Sequence, residues 1–310
     1  MTIYLVTGGA GFIGSHIVAT LVQQGATVRV LDNFSTGKRS NLAHRSGAEV
    51  IEGDVRERDT VRAAMRQVDY VLHLAAQISV PRSMDDPALN HAVNVDGTLN
   101  VLEAAREWSV KRVVLSSSCA VYGDNTDLPL TEASSLKPLS PYAASKLIGE
   151  VYCQTYARAF GVPAVCLRYF NIYGPRQDPA SEYAAVIPKF IQRMQNGQAP
   201  VVYGDGTQSR DFVYVGDVVR ANLRACERTE AIGQVYNIAT GRGLSLLELI
   251  AALNELLHTN YVPDFQAPRA GDIKHSRGSG ELIAAELGFR PAVQIGDGLQ
   301  HILAFQRIAV

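Results

Sequence analysis

The chain has 310 residues, 47% of them hydrophobic and 19% charged, enough for one large domain or two modest ones around a sizeable core. A formal net charge of -1 argues against a general nucleic-acid or membrane-surface binder, though not against a local anion site. The four cysteines, Cys119, Cys153, Cys166 and Cys226, form no C-x-x-C pair and no histidines cluster, so neither a disulfide framework nor a metal site is expected.

A strand pattern begins by residue 3, which leaves no room for a signal peptide, and no apolar run reaches membrane-spanning length; a cytoplasmic protein is expected. TIYLVT (2–7) is a short β-branched run, followed at once by GGAGFIG and by SHIVATLVQQG with helical spacing. Next come TVRVLD (27–32), AEVIEGD (48–54), a helical DTVRAAMRQ (59–67) and YVLHLAA (70–76). A longer helical stretch, 88–108, leads into VKRVVLSSS (110–118); a helix from Tyr142 to about Phe160 precedes PAVCLRYFN (163–171). Near-continuous apolar strands alternating with helices predict an α/β fold with a doubly wound parallel sheet. After residue 171, Pro175, Pro179, Pro188 and Pro200 break the rhythm. The helical LSLLELIAALNELL (244–257) and the loop VPDFQAPRAGD (262–272) predict a smaller C-terminal α/β region packed on the first.

Gly8, Gly11 and Gly14 stand between the first strand and helix. There, glycines allow a tight turn, close approach of backbone to a pyrophosphate and close packing of helix on strand. Asp32 ends the next strand, 18 residues past Gly14. It would accept hydrogen bonds from the adenosine ribose and repel a 2′-phosphate, which favours NAD over NADP; the alternative is a helix or turn cap. Asp54 and Val55 close a third strand where an adenine could rest, and Leu74, Ala75 and Ala76 end a fourth. Ligands of open parallel sheets bind at such strand ends, near the switch point.

Ser118, Tyr142 and Lys146 share that edge. Tyr142 and Lys146 are four apart, on one helix face, where an ammonium would favour the phenolate and a serine hydroxyl could hold an alcohol beside it. Taken alone, most such pairs are an exposed lysine beside a half-buried tyrosine, so the context has to come from the rest of the chain. Spacing to Tyr122 selects Ser118, while the run of three serines, 116–118, leaves the choice open. Arg210 and Arg269 lie in loops, either solvated or clamping a diphosphate.

GGAGFIG, HLAAQ, SSSCAVYGD, SPYAASK, LRYFNIYGPRQDP and GDGTQSRDFVYVGDV together resemble the extended short-chain dehydrogenase/reductase family, and more narrowly its UDP-hexose and UDP-N-acetylhexosamine 4-epimerases. The resemblance spans nearly the whole chain. It implies an NAD-binding Rossmann domain over 1–170, completed by parts of 211–238, and a UDP-sugar-binding domain over 171–310. On the cofactor side it implies Gly8, Gly11, Phe12, Ile13 and Gly14 at the pyrophosphate and Asp32, Asn33, Ser35, Thr36 and Gly37 around the ribose. Asp54 and Val55 would flank the adenine, and Leu74, Ala75, Ala76, Asn94, Tyr142, Lys146 and Tyr169 the nicotinamide half. On the sugar-nucleotide side it implies Ser79, Ser118, Asn171, Ala185, Val186, Lys189, Phe190, Val201, Tyr203, Arg210, Arg269, Asp272 and Ser276.

Cys119 and Ala120 stand where the family's 4,6-dehydratases carry an acidic pair, so that elimination chemistry is not expected. Ser276 matches a position where a tyrosine goes with plain hexoses and a small residue with N-acetylhexosamines. The resemblance therefore implies C4 epimerization of UDP-GlcNAc/UDP-GalNAc, with UDP-Glc/UDP-Gal as a second pair, in a homodimer formed through helices near 88–107 and 142–160. The alternatives are an epimerase restricted to plain hexoses, a UDP-uronate epimerase or decarboxylase using Arg82, and a non-catalytic dinucleotide sensor. An intact Ser118, Tyr142 and Lys146 set argues against the last.

Overall fold

The apolar runs become the central strands. The computed structural model describes residues 2–43, 47–179, 186–268 and 273–308. Its first six strands are β1 (Ile3–Thr7), β2 (Thr27–Asp32), β3 (Ala48–Glu52), β4 (Tyr70–His73), β5 (Arg112–Ser118) and β6 (Ala164–Tyr169). Shorter ones follow: β7 (Asn171–Tyr173), β8 (Val201–Tyr203), β9 (Ser209–Arg210), β10 (Phe212–Tyr214), β11 (Val235–Ile238), β12 (Leu244–Ser245), β13 (Asp264–Gln266) and β14 (His275–Ser276). The main sheet is seven-stranded and parallel, in the order β11-β6-β5-β4-β1-β2-β3. The order reverses between β1 and β4, which is the switch point of a doubly wound, Rossmann-type sheet.

Period-two alternation feeds two cores from one set of strands. Val6, Val114, Val165 and Leu167 face a layer with α1 (Phe12–Gln23) and α8 (Val215–Glu227). Leu5, Val113, Leu115 and Cys166 face the other, with α2 (Arg58–Ala64), α5 (Gly97–Glu107) and α6 (Pro141–Phe160). A third core gathers α7 (Val186–Gln195), α9 (Leu246–Leu257) and α11 (Ile295–Ile308) beyond the sheet. The short helices α3 (Val80–Asp85), α4 (Pro87–His91) and α10 (Glu281–Leu287) complete the set.

Helix α6 carries its own start and stop. Ser140 caps it by accepting from Ala143 N at 3.1 Å, Pro141 occupies the first turn, and Gly161 (φ +69°) closes it in the left-handed region. Three segments depart from the sequence expectation. The helix expected over 88–108 is α4 and α5 joined by a π-helical turn, Ala92–Asp96. Residues 244–245 form β12 rather than helix, because their backbone pairs with β9. The expected loop 262–272 contains β13, paired with β8, while 269–272 lie outside the described residues. Cys153, Cys166 and Cys226 are buried free thiols, as expected, and Cys119 is partly exposed.

Candidate active site

At the switch point the glycine turn touches the fourth strand. Gly8 has φ +68°, and a Cβ there would lie 2.7 Å from the backbone nitrogen of Ala75. A Cβ on Gly14 would lie 2.3 Å from the Gly8 carbonyl oxygen, so only glycine lets α1 start this close to β1. Gly11, Phe12 and Ile13 form the entry to that helix. The Asp32 carboxylate, buried at the end of β2, accepts from Ala10 N at 2.9 Å and Phe34 N at 2.8 Å. Each oxygen keeps a lone pair for a ribose hydroxyl. A Cβ on Gly37 would lie 2.9 Å from Asp32 Oδ1, so the loop carrying Asn33, Ser35 and Thr36 folds back over the carboxylate. Asn33 Nδ2 donates to Asp54 Oδ2 at 2.8 Å. Arg56 grips the same Asp54 carboxylate and holds it near a pKa of about 2, and Val55 is buried next to it. The cradle and acid thus fit a dinucleotide without a 2′-phosphate.

The strand-end loop after β4 is held by groups absent from the sequence expectation. His73 Nε2 lies 3.1 Å from Thr98 Oγ1, and Thr98 donates its hydroxyl proton to the Asn94 carbonyl, so Nε2 carries the ring proton. Nδ1 then accepts from Thr7 Oγ1 at 2.7 Å. Burial, with Lys146 adding to it, pushes His73 down to about 3, so it stays neutral. Asn94, expected at the nicotinamide, instead spends its amide on protein. Nδ2 donates to Gln77 O (3.0 Å) and Ser145 Oγ (2.9 Å), and Oδ1 accepts from Gln77 N (2.8 Å). Leu74 N donates to Thr7 O, which leaves Ala75 and Ala76 at the edge.

The serine run resolves by alternation along β5. Ser117 points away from the crevice, and its hydroxyl donates to Glu150, itself paired with Arg168. The Ser116 carbonyl accepts from Lys146 Nζ at 2.8 Å. The Ser118 hydroxyl accepts from Ala120 N at 3.2 Å and lies on the Tyr142 side, close enough to lower the phenol's pKa. Lys146 Nζ lies 5.9 Å from the Tyr142 ring centre. Burial pushes the Tyr142 phenol up to about 12, against the nearby Ser118 hydroxyl, and draws Lys146 down to about 8. Desolvation of the phenolate is thus the largest influence on Tyr142 in this structure.

Arg210 and Ser276 are register partners on β9 and β14, so their side chains share a face. Ser276 is buried and lies near the Cys119 thiol, whose pKa it lowers, so it stands close to Ser118 in the chain's fold. Burial raises that thiol to about 11, so it remains protonated. Asn171 opens β7, its amide nitrogen donating to Asp211 O at 3.0 Å. Val201 and Tyr203 are half-buried on β8, and the Tyr203 carbonyl accepts from Gln208.

The structure turns two expected side chains, Tyr169 and Phe190, into cores. The Tyr169 side chain runs into the core, its hydroxyl donating to Asn222 at 2.9 Å, so only its backbone borders the crevice beside Ser118. Phe190 is packed into the third core, with Val186 against it, while Lys189 is half-exposed on the same helix. The Ser79 hydroxyl caps α3 by accepting from Arg82 N. Ala185, Arg269 and Asp272 lie outside the described residues.

Residues 4–239 match the NAD dependent epimerase/dehydratase family. The chain belongs to this family. Among its relatives is a putative UDP-glucose 4-epimerase of Methanocaldococcus jannaschii, 40% identical over 306 residues and 98% of each chain. Two solved structures bracket the substrate question. A UDP-N-acetylglucosamine 4-epimerase from Methanobrevibacter ruminantium, in complex with UDP-N-acetylmuramic acid, superposes with a TM-score of 0.95 at 38% identity, over 100% of this chain and 99% of that one. A Thermus thermophilus UDP-glucose 4-epimerase in complex with NAD gives 0.89 at 40% identity, over 100% of both. NAD is the family's cofactor, and the Gly8–Gly14 cradle with Asp32 fits it. Among the described residues no helix is long and apolar enough to cross a membrane, and no side-chain group is arranged to hold a metal.

Proposed function

We propose that the protein is a UDP-sugar 4-epimerase acting through a 4-keto intermediate, with UDP-GlcNAc/UDP-GalNAc as its preferred pair and UDP-Glc/UDP-Gal as a second. The observation that carries this reading is that Tyr142 and Lys146, one turn apart on α6, meet Ser118 at the end of β5, on the same sheet edge as the glycine cradle. Tyr142 takes the proton from the sugar O4 and later returns it; Ser118 holds that oxygen in line; Lys146 supplies positive charge beneath the phenolate. The Gly8–Gly14 cradle and Asp32 would hold NAD, which would supply the hydride acceptor and donor for C4. Arg210 holds the diphosphate, leaving the sugar free to turn and present its other face. Cys119 is a protonated thiol and Ala120 has no acid, which leaves no group at that strand end for eliminating water.

The preference for the acetamido sugar rests on Ser276, small and drawn back against Cys119. The division into an NAD domain (1–170 with parts of 211–238) and a UDP-sugar domain (the rest of 171–310) belongs to the same proposal; β11 in the main sheet and the separate third core support it. The test is to incubate purified protein with UDP-GlcNAc, without added NAD, and to follow the anomeric protons by NMR. A UDP-GalNAc signal is expected. Conversion of UDP-glucose alone would reject the substrate preference, conversion of UDP-glucuronate alone would assign the site to uronates, and no conversion would reject epimerization.

A homodimer is part of the reading. Helix α6 leaves Ile148 and Val151 exposed and Ala144 and Leu147 half-exposed, an apolar stripe at helical spacing that a second copy would cover. Sedimentation at micromolar concentration is expected to give a dimer that Val151→Glu dissociates; a wild-type monomer would reject this.

A further inference from the structure

Tyr142, Lys146 and Glu150 follow one another at four-residue steps along α6 and share its buried face. Glu150 is 2% exposed. It takes no part in the proton transfer described above, yet more groups converge on it than on Lys146. Its Oε1 accepts from the Ser117 hydroxyl and from Arg168 Nε at 2.9 Å; its Oε2 accepts from Arg168 Nη2 at 2.7 Å. Arg168, 3% exposed on β6, reaches on to the Tyr122 hydroxyl at 2.8 Å. A buried ion pair of this kind is weak evidence for stability, because well-packed apolar residues often replace one without loss. Its position one turn beyond Lys146 points to a role in the reaction.

We propose that Glu150 is a positioning residue for epimerization: it ties Ser117, and with it the end of β5, to α6 one residue before Ser118, so that Ser118 meets Tyr142, and it stands one turn from Lys146 as a carboxylate anchored by Arg168. The inference rests on the assignment of Tyr142 and Lys146 made above. Two links carry the effect. The first is steric, since tying Ser117 to α6 fixes the distance between that helix and the end of β5, from which Ser118 projects. The second is electrostatic. The ionisable groups facing Lys146 are Tyr142 and Glu150 on its own helix, Cys166 on β6 and His73 on β4. His73 is neutral, so among these Glu150 is the standing negative charge, and it opposes the burial that favours loss of the lysine proton.

The sign follows directly. A carboxylate favours the ammonium, so removing it lets Lys146 lose its proton at lower pH, and the alkaline limb of kcat moves down. Because truncating one partner would strand a buried charge, the test uses two neutral pairs, E150L/R168M and E150Q/R168Q. In a folded pair, kcat at neutral pH is expected to fall about tenfold, KM for the nucleotide sugar to stay within about twofold, and the alkaline limb to shift down by about one pH unit. A folded pair with the wild-type pH profile would overturn the proposal. So would failure of both pairs to fold, which would make the ion pair purely structural. Tyr142→Phe, measured alongside, separates the two levels: if it keeps full activity the assignment of the site falls, whatever the neutral pairs do.

Discussion

Tyr142→Phe is expected to lower turnover by about a thousandfold while KM for the nucleotide sugar changes less than about threefold. The ring stays, so its packing is kept, and the most that the lost hydroxyl gives up is a polar contact with the nearby Ser118 hydroxyl. A lost contact of that kind costs about 1 kcal/mol of stability, too little to unfold the chain. What disappears is the group that takes the O4 proton, and a thousandfold corresponds to about 4 kcal/mol of transition-state stabilisation. The pH dependence is diagnostic. With the phenol pushed up to about 12, the phenolate fraction rises about tenfold per pH unit through the neutral range, so wild-type kcat should climb with pH until Lys146, near 8, begins to lose its proton. Tyr142→Phe should lose that climb along with the rate. Undiminished turnover in this variant would sink the mechanism.

The two glycine-acid features at the sheet edge were legible because each needs a particular residue type. A Cβ at Gly8 would come within 2.7 Å of the Ala75 backbone nitrogen, so only glycine fits there, and the Asp32 carboxylate accepts from Ala10 N with acceptor capacity left over. Period two and period 3.6 also delivered the central strands nearly to the residue, β2 at 27–32 among them. What periodicity could not reveal is direction within a correct element. Tyr169 lies on the expected strand and Phe190 on α7, a helix that the prolines after residue 171 concealed, and both side chains are drawn into cores, because an aromatic ring gains more from burial than from lining a polar crevice. The π-helical turn at 92–96 adds residues to one turn without disturbing the apolar pattern, so nothing in the spacing marked Asn94 as a brace between Gln77 and Ser145.

His73 and Glu150 were missed for another reason: both are partners of partners. A signal did exist for Glu150. Arg168 sits inside CLRYF, a strand otherwise fully apolar, and a guanidinium buried there needs a carboxylate from a neighbouring element. The candidates are few, and α6 is the helix that packs over β5 and β6. The pKa of Tyr142 was beyond the sequence altogether. It depends on how completely the phenol is desolvated against how close the ammonium comes, and only coordinates weigh those two.

Gly14→Ala is expected to destabilise the protein by about 3 kcal/mol or more and to strip it of retained NAD, against the ordinary rule for helices. Within a helix, alanine is favoured over glycine by about 1 kcal/mol, so propensity alone predicts a gain. Gly296, on α11, is a matched control: a Cβ there meets nothing within 4 Å, and Gly296→Ala should be neutral or stabilising by up to about 1 kcal/mol. At Gly14 the new Cβ would lie 2.3 Å from the Gly8 carbonyl oxygen and 2.8 Å from the Gly9 Cα. These are backbone atoms of the turn itself, so relief requires α1 to move off β1, and that opens the cradle as it lowers stability. Thermal melting of the two variants, with cofactor released by denaturation and measured by absorbance, checks both halves. A fall in Tm on the order of 5–10 °C with loss of NAD is expected for Gly14→Ala and neither for Gly296→Ala. A Gly14→Ala protein that keeps its NAD and melts with the wild type would mean that helix and strand are not in the tight contact on which the cofactor site depends.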